Sequence, residues 1–304
     1  MPYKKTYKRR RKKNNKTRKR RRRKTRKLKQ VKCSPKLKKD QLNFTCYTKD
    51  SLHKLKNIWN KKHPDRKILS NNPRKIWMGL RKALKESCNR ESCWLRHKCF
   101  KEDIDLETRK FTFAPEAPEI WKKNPNEWLS STDILNVMRQ YEKTYPCFEF
   151  IGPSPIDYDN HIAYGECVWE ELCEFNLLKT LKDGKRKIGI IFNLDKHNQP
   201  GSHWVALFIH TKRKEIYYLD SYGEKIPKRI EKFANKVIKQ ALNLGYSYEL
   251  IENTRRHQFS NSECGMYCLY FIIRMLKGDN FSKFTSKKIP DKLMMKLRKI
   301  YFNQ

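Results

Sequence analysis

Apolar residues recur every three or four positions through residues 34–105, the period of helices that bury one face. Leu52, Leu55, Ile58 and Trp59 form one such stripe. A second, Ile76, Trp77, Leu80, Ala83 and Leu84, follows Asn72 and Pro73, a capping side chain and a proline suited to the first turn. The polar stretch 61–72 separates the two. Pro115, Pro118 and Pro125 mark a connection. Beyond it, Ser130 and Asp133 have capping-box spacing ahead of Ile134, Leu135, Val137 and Met138. A further helix is expected over about 168–178, packing Leu172, Phe175 and Leu178 inward.

The period then shortens. Residues 148–151 are a candidate strand closed by Gly152 and Pro153, and 188–194, 204–209, 215–219 and 246–251 are short runs rich in Val, Ile, Phe and Tyr between polar or glycine-containing turns, which predicts strands of one sheet. Pro227 opens a helix with Ile230, Phe233, Ala234, Val237, Ile238, Ala241 and Leu242 on its inner side, stopped by Gly245 as a left-handed cap. Residues 265–276 are apolar nearly all round, as a helix inside a core must be, and Gly278 follows. The last helix, opened by Pro290, is basic and amphipathic and receives no function. Together these elements predict an α+β fold, a sheet with helices around it. A helical N-terminal domain spans 31–110 and a larger domain 111–304; strand order is not readable.

Charge adds a third region. Residues 1–30 hold 19 Lys or Arg and no acid, and the remaining 52 basic and 32 acidic side chains still leave +20 of the net +39. Like charges with nothing apolar to bury predict a disordered basic arm. Such an arm suits DNA binding or nuclear import, a solubilising tail, or attraction to an anionic membrane surface. No apolar leader is present and no run of 18 apolar residues, so neither a signal peptide nor a membrane span is expected. Ten cysteines spread over 304 residues without such a leader read as reduced thiols. Cys88, Cys93 and Cys99 cluster with His97, but their gaps are poor zinc spacing, and no metal or cofactor is expected.

Cys264 stands at the first turn of the buried helix, where free backbone N–H groups and the dipole favour a thiolate. Gly265 beside it leaves room for a substrate carbonyl. By itself a cysteine there is equally a packing residue, as Cys268 one turn later must be. A cysteine nucleophile needs a base, and the base needs an orienting carboxylate. His203 opens a strand after a glycine turn, and Asp220 ends the next strand, but their contact depends on a geometry that spacing does not give.

The segments Gly201-Ser202-His203-Trp204, Leu219-Asp220-Ser221 and Gln258-Phe259-Ser260-Asn261-Ser262-Glu263-Cys264-Gly265 resemble the Ulp1 and adenovirus-protease clan of cysteine peptidases, over roughly residues 130–280. Within it the chain is most similar to the core-shell processing proteases of large cytoplasmic DNA viruses, typified by African swine fever virus. The block from Asn253 to Cys264 and Glu91-Ser92-Cys93 in the helical domain carry that likeness. Asp220 follows the Ulp1 pattern, where the swine-fever enzyme has asparagine, and the basic arm has no counterpart there.

The resemblance implies a papain-related fold, with a central mixed sheet and flanking helices, and four catalytic residues: Cys264 as nucleophile, His203 as base and then acid, Asp220 as orienter and Gln258 as oxyanion donor, with Asn261 a rival donor. Trp204 is either a wall of the groove or a packing residue beneath the helix, and His257 and Glu263 are accessory. The resemblance further implies viral core or capsid precursor polyproteins as substrates, cut at Gly-Gly-X-type sites in the virion or host cytoplasm, with the nucleus open through the basic arm. A deconjugase of ubiquitin-like modifiers and a DNA-packaging protein with an inert protease domain are the competing readings.

Overall fold

The computed structural model describes residues 31–303; the basic arm at 1–30 lies outside the described residues. Helices α1 (Lys49–Lys62) and α2 (Pro73–Ala83) form where the stripes predict, and Asn72 Oδ1 accepts from the N–H groups of Arg74 and Lys75. With the short α3 (Leu106–Phe111), they enclose an apolar core that includes Leu52, Trp59, Leu80, Trp94, Phe100 and Phe113. Glu91 is buried as well. Thr45 Oγ1, the Cys46 N–H and Trp77 Nε1 all donate to its carboxylate, so the desolvated charge is hydrogen-bonded.

α4 (Ser131–Thr144) begins with the expected capping box between Ser130 and Asp133. The strands β1 (Phe148–Pro155), β2 (Lys187–Asn193), β3 (Trp204–His210), β4 (Glu215–Leu219) and β5 (Glu249–Glu252) form one sheet in that order. β2, β3 and β4 pair antiparallel, while β1 and β5 join as parallel edges. Alternation assigns the faces. Ala206, Phe208, Tyr217 and Leu219 point to a core shared with α4, α8 (Cys264–Leu276), α9 (Phe281–Thr285) and α10 (Asp291–Tyr301). Val205, Leu207, Ile216 and Tyr218 face α5 (Glu170–Cys173), α6 (Leu177–Lys182) and α7 (Lys228–Asn243).

Four expectations change. The helix over 168–178 is two, because the Asn176 side chain caps a new start at Leu177; the phase is reset and Leu178 is exposed while Leu177 is buried. Leu242 is exposed, since Ala241 takes the inward position at the end of α7. β5 begins three residues late, with Tyr246 left outside the ladder under Lys214. The cysteines are not all free thiols: Cys33–Cys46, Cys88–Cys93 and Cys167–Cys173 are disulfides, local turns having brought together partners that sequence gaps do not reveal. Cys99, near His63 Nε2, stays out of the Cys88–Cys93 pair.

Candidate active site

Antiparallel pairing of β3 with β4 sets Ala206 opposite Leu219, so the start of one strand and the end of the other share an edge of the sheet. His203, just before β3, and Asp220, just after β4, therefore meet: His203 Nε2 lies 2.8 Å from Asp220 Oδ1. The Tyr222 N–H donates to the same oxygen, and the Tyr222 ring stacks on the imidazole at 4.8 Å between centroids. Cys264 lies close enough to His203 to help raise its pKa. With Nε2 turned to Asp220, Nδ1 is the nitrogen left for the thiol. The three residues bring together a thiol, an imidazole and a carboxylate, the set of groups that nucleophilic catalysis by cysteine uses.

Burial alone would lower the His203 pKa, but the hydrogen bonds and negative charges of Asp220 and Cys264 outweigh it and raise the value to about 9. A folded-state histidine held above its ordinary 6.5 adds stability that is complete below that pH and is lost as pH climbs through about 9. The protonated imidazole should therefore persist across neutral pH. The alkaline limb of kcat/KM is expected near pH 9, and in Asp220→Asn it should move down toward 6.5; pH profiles of both proteins check this, and a limb unmoved by the substitution would count against it. Cys268 shows the contrast. It is 1 % exposed, and burial, reinforced by the charges of Cys264 and Asp220, pushes its thiol well up, so it stays a packing residue.

The segment that carries Gln258 is clamped to the turn after β4. The N–H groups of His257 and Gln258 both donate to Ser221 O, and Asn253 Nδ2 donates to Asp220 O. Gly223, at φ 78°, lets the turn pass beneath this segment, where any Cβ would lie 2.7 Å from the Arg255 carbonyl carbon. Gln258 is fully buried. Ser221 Oγ donates to its Oε1 at 2.6 Å, while its Nε2 donates to Ser260 O at 2.6 Å and to Tyr222 Oη at 3.4 Å. Asn261, the rival donor, is exposed. His257 is held down at about 4 by burial and by Arg255, and its Nδ1 accepts from the Ile289 N–H, so it serves as a neutral strut.

Two residues of the last helix, to which sequence assigns no role, hold the loop before the nucleophile. Asp291 accepts from the N–H groups of Phe259 and Ser260 and from Tyr267 Oη. Arg298, 2 % exposed, pairs with the similarly buried Glu263 at 3.0 Å, donates to Ser262 O and Glu127 O, and covers the Trp121 ring. Glu263 is thus accessory in a specific way: it ties the residue before Cys264 to α10.

Trp204 is the packing residue beneath the helix. Its Nε1 donates to Leu129 O, and it packs beneath α8, where a Cβ on Gly265 would meet Leu129 at 3.0 Å and Trp204 at 3.3 Å. It also lines a cleft of about 970 Å³ with Trp128, Leu129, Asn193 and Gly201. Asp195 accepts from Gly201 N and Ser202 Oγ, which fixes the turn leading into His203.

Residues 133–304 match the family described as the Ulp1 protease family, C-terminal catalytic domain. The chain belongs to the Ulp1 protease family. Among curated members, the putative thiol protease R355 of Acanthamoeba polyphaga mimivirus is 31% identical over 294 residues, covering 89% of this chain and 92% of that protein. A cysteine protease of African swine fever virus (isolate Tick/Malawi/Lil 20-1/1983) is 28% identical over 229 residues, 69% of this chain and 81% of its own. A crystal structure of the African swine fever virus protease shares the fold, with a TM-score of 0.64 at 22% identity over 89% of this chain and 95% of that one. As a Ulp1-family member, the protein is a cysteine peptidase with the family's α+β core. No described helix is long and apolar enough to cross a membrane.

Proposed function

We propose that this peptidase cuts viral core or capsid precursor polyproteins at Gly-Gly-X-type sites during virion maturation. Cys264 attacks the scissile carbonyl as a thiolate, His203 gives a proton to the leaving amine, and Asp220 keeps the imidazole in register. The Cys264 N–H and the Gln258 amide stabilise the oxyanion, which takes the place of the long Tyr222 contact on Nε2. The observation that carries the substrate class is the tightness at the nucleophile. Cys264 is 2 % exposed, which leaves little room beside the sulfur for a substrate side chain. Residues with no side chain are the ones that fit such an approach.

A panel of Gly-Gly-X, Gly-Ala-X and Ala-Ala-X peptides, run beside an isopeptide-linked modifier conjugate, tests the reading. Cleavage confined to the Gly-Gly peptides supports it; rapid isopeptide cleavage with inert peptides would overturn it in favour of a deconjugase. Gln258→Ala is expected to lower kcat about 10²–10³-fold with little change in KM, the scale of losing one oxyanion donor. Steady-state kinetics on the preferred peptide check this, beside a thermal melt to confirm folding.

This reading puts the enzyme in the virion and host cytoplasm, with the nucleus open to it through the basic arm. The arm's 19 cations also support association with DNA. Deleting residues 1–30 should weaken DNA retention and flatten its dependence on salt; a slope unchanged on deletion would contradict that role.

A further inference from the structure

Residues 144–178 contain no Lys or Arg and seven carboxylates, at Glu149, Asp157, Asp159, Glu166, Glu170, Glu171 and Glu174, in a chain whose net charge is +39. Charge of that sign attracts cations. Two of these acids are already occupied: Asp157 by His197, and Asp159 by Arg229 and Lys232. Around them the backbone folds into a small knuckle. Ile162 N–H donates to Glu166 O, Val168 N–H to Asn160 O, and Trp169 N–H to Tyr158 O.

That knuckle gathers His161, Cys167 and Cys173. One ligand atom from each lies within 4.8 Å of the others, and His161 Nε2 is 3.8 Å from Cys167 Sγ. A tetrahedral zinc ion with bonds of about 2.0–2.3 Å to nitrogen and sulfur separates its ligands by roughly 3.6 Å. The histidine therefore already stands near ligand spacing from the first sulfur. We propose that the dithiol form of this knuckle binds one Zn²⁺ through His161 Nε2 and the Cys167 and Cys173 thiolates, with water in the fourth position.

The two sulfurs are joined as a disulfide in the structure. Its reduction by a phosphine takes up two electrons and two protons and leaves two thiols, the phosphine and one water oxygen ending as the phosphine oxide. Zinc binding then releases the two thiol protons to solvent. The consequence lies next door, because Val168 and Trp169 follow Cys167 and line the same cleft as Trp204. Zinc, or the disulfide in its place, would pin that rim, so the metal exchanges with a redox-sensitive link.

The test uses the full chain with Cys264→Ala as background, which removes the active-site thiol as a competing ligand, reduced with a phosphine and then freed of excess metal after zinc loading. Elemental analysis is expected to find one zinc per chain. Cobalt loading should give the visible bands of tetrahedral thiolate coordination. Adding His161→Ala or Cys167→Ser should lower the retained zinc to below about a tenth, while Cys88→Ser, in the other close cysteine pair, should leave it unchanged. A circular dichroism spectrum of each variant confirms that it is folded. Retention of zinc after His161→Ala or Cys167→Ser would overturn the proposal. So would absence of zinc from the reduced background protein, or Cys167 and Cys173 found still disulfide-linked by mass mapping after reduction. The readout is independent of the substrate, so it stands apart from the Gly-Gly reading.

Discussion

Replacing Cys264 with Ala is expected to bring peptide hydrolysis down to background, a fall in kcat/KM of roughly 10⁵–10⁶-fold, the scale on which removal of a nucleophile acts in a concerted triad. The fold should survive. Position 264 begins a helix, where alanine is favourable, and only one sulfur leaves the core. Peptide turnover with a thermal melt as control measures both halves. DNA retention should be unchanged, because the arm and the nucleophile are separate. A variant that kept full peptide cleavage would leave the domain's chemistry elsewhere.

Arg298→Ala should be nearly as damaging by another route. It leaves the Glu263 carboxylate buried without its partner and strips donors from Ser262 O and Glu127 O. Breaking a buried pair from one side costs about 3–5 kcal/mol. Urea unfolding should show a loss of that size, and activity should fall because Glu263 adjoins Cys264. The double replacement Glu263→Gln with Arg298→Met removes both charges and should restore part of the stability. If the single variant unfolds at the urea concentration of the parent, the pair does not hold this loop.

The parts of the site differ in how far they can be read from sequence, and the reason is the distance over which each is determined. Cys264 and Gly265 are legible locally, since a helix that is apolar all round has only one first turn. The capping box at Ser130 and the apolar runs of β3 and β4 are legible for the same reason. The meeting of His203 with Asp220 depends on antiparallel register between two strands, which periodicity does not encode, so the resemblance carries it. Arg298 is invisible in sequence because a lysine-rich amphipathic helix gives no sign of which cation turns inward. Tyr222, Ser221 and Asn253 pass as ordinary turn residues; their one signal is proximity in sequence to Asp220 and Gln258. Leu178 and Leu242 are misplaced by periodicity because a helix phase cannot be followed across a cap or into a final turn.

The central claim is that His203 activates Cys264 and no other thiol. A Gly-Gly peptide ending in an electrophile measures it directly, by intact mass and peptide mapping after brief exposure. Cys147 serves as an internal control, being a free and exposed cysteine. One adduct is expected, on Cys264, and it should be lost in His203→Ala. Labelling of Cys147 in preference to Cys264, or equal labelling of Cys264 without His203, would contradict it.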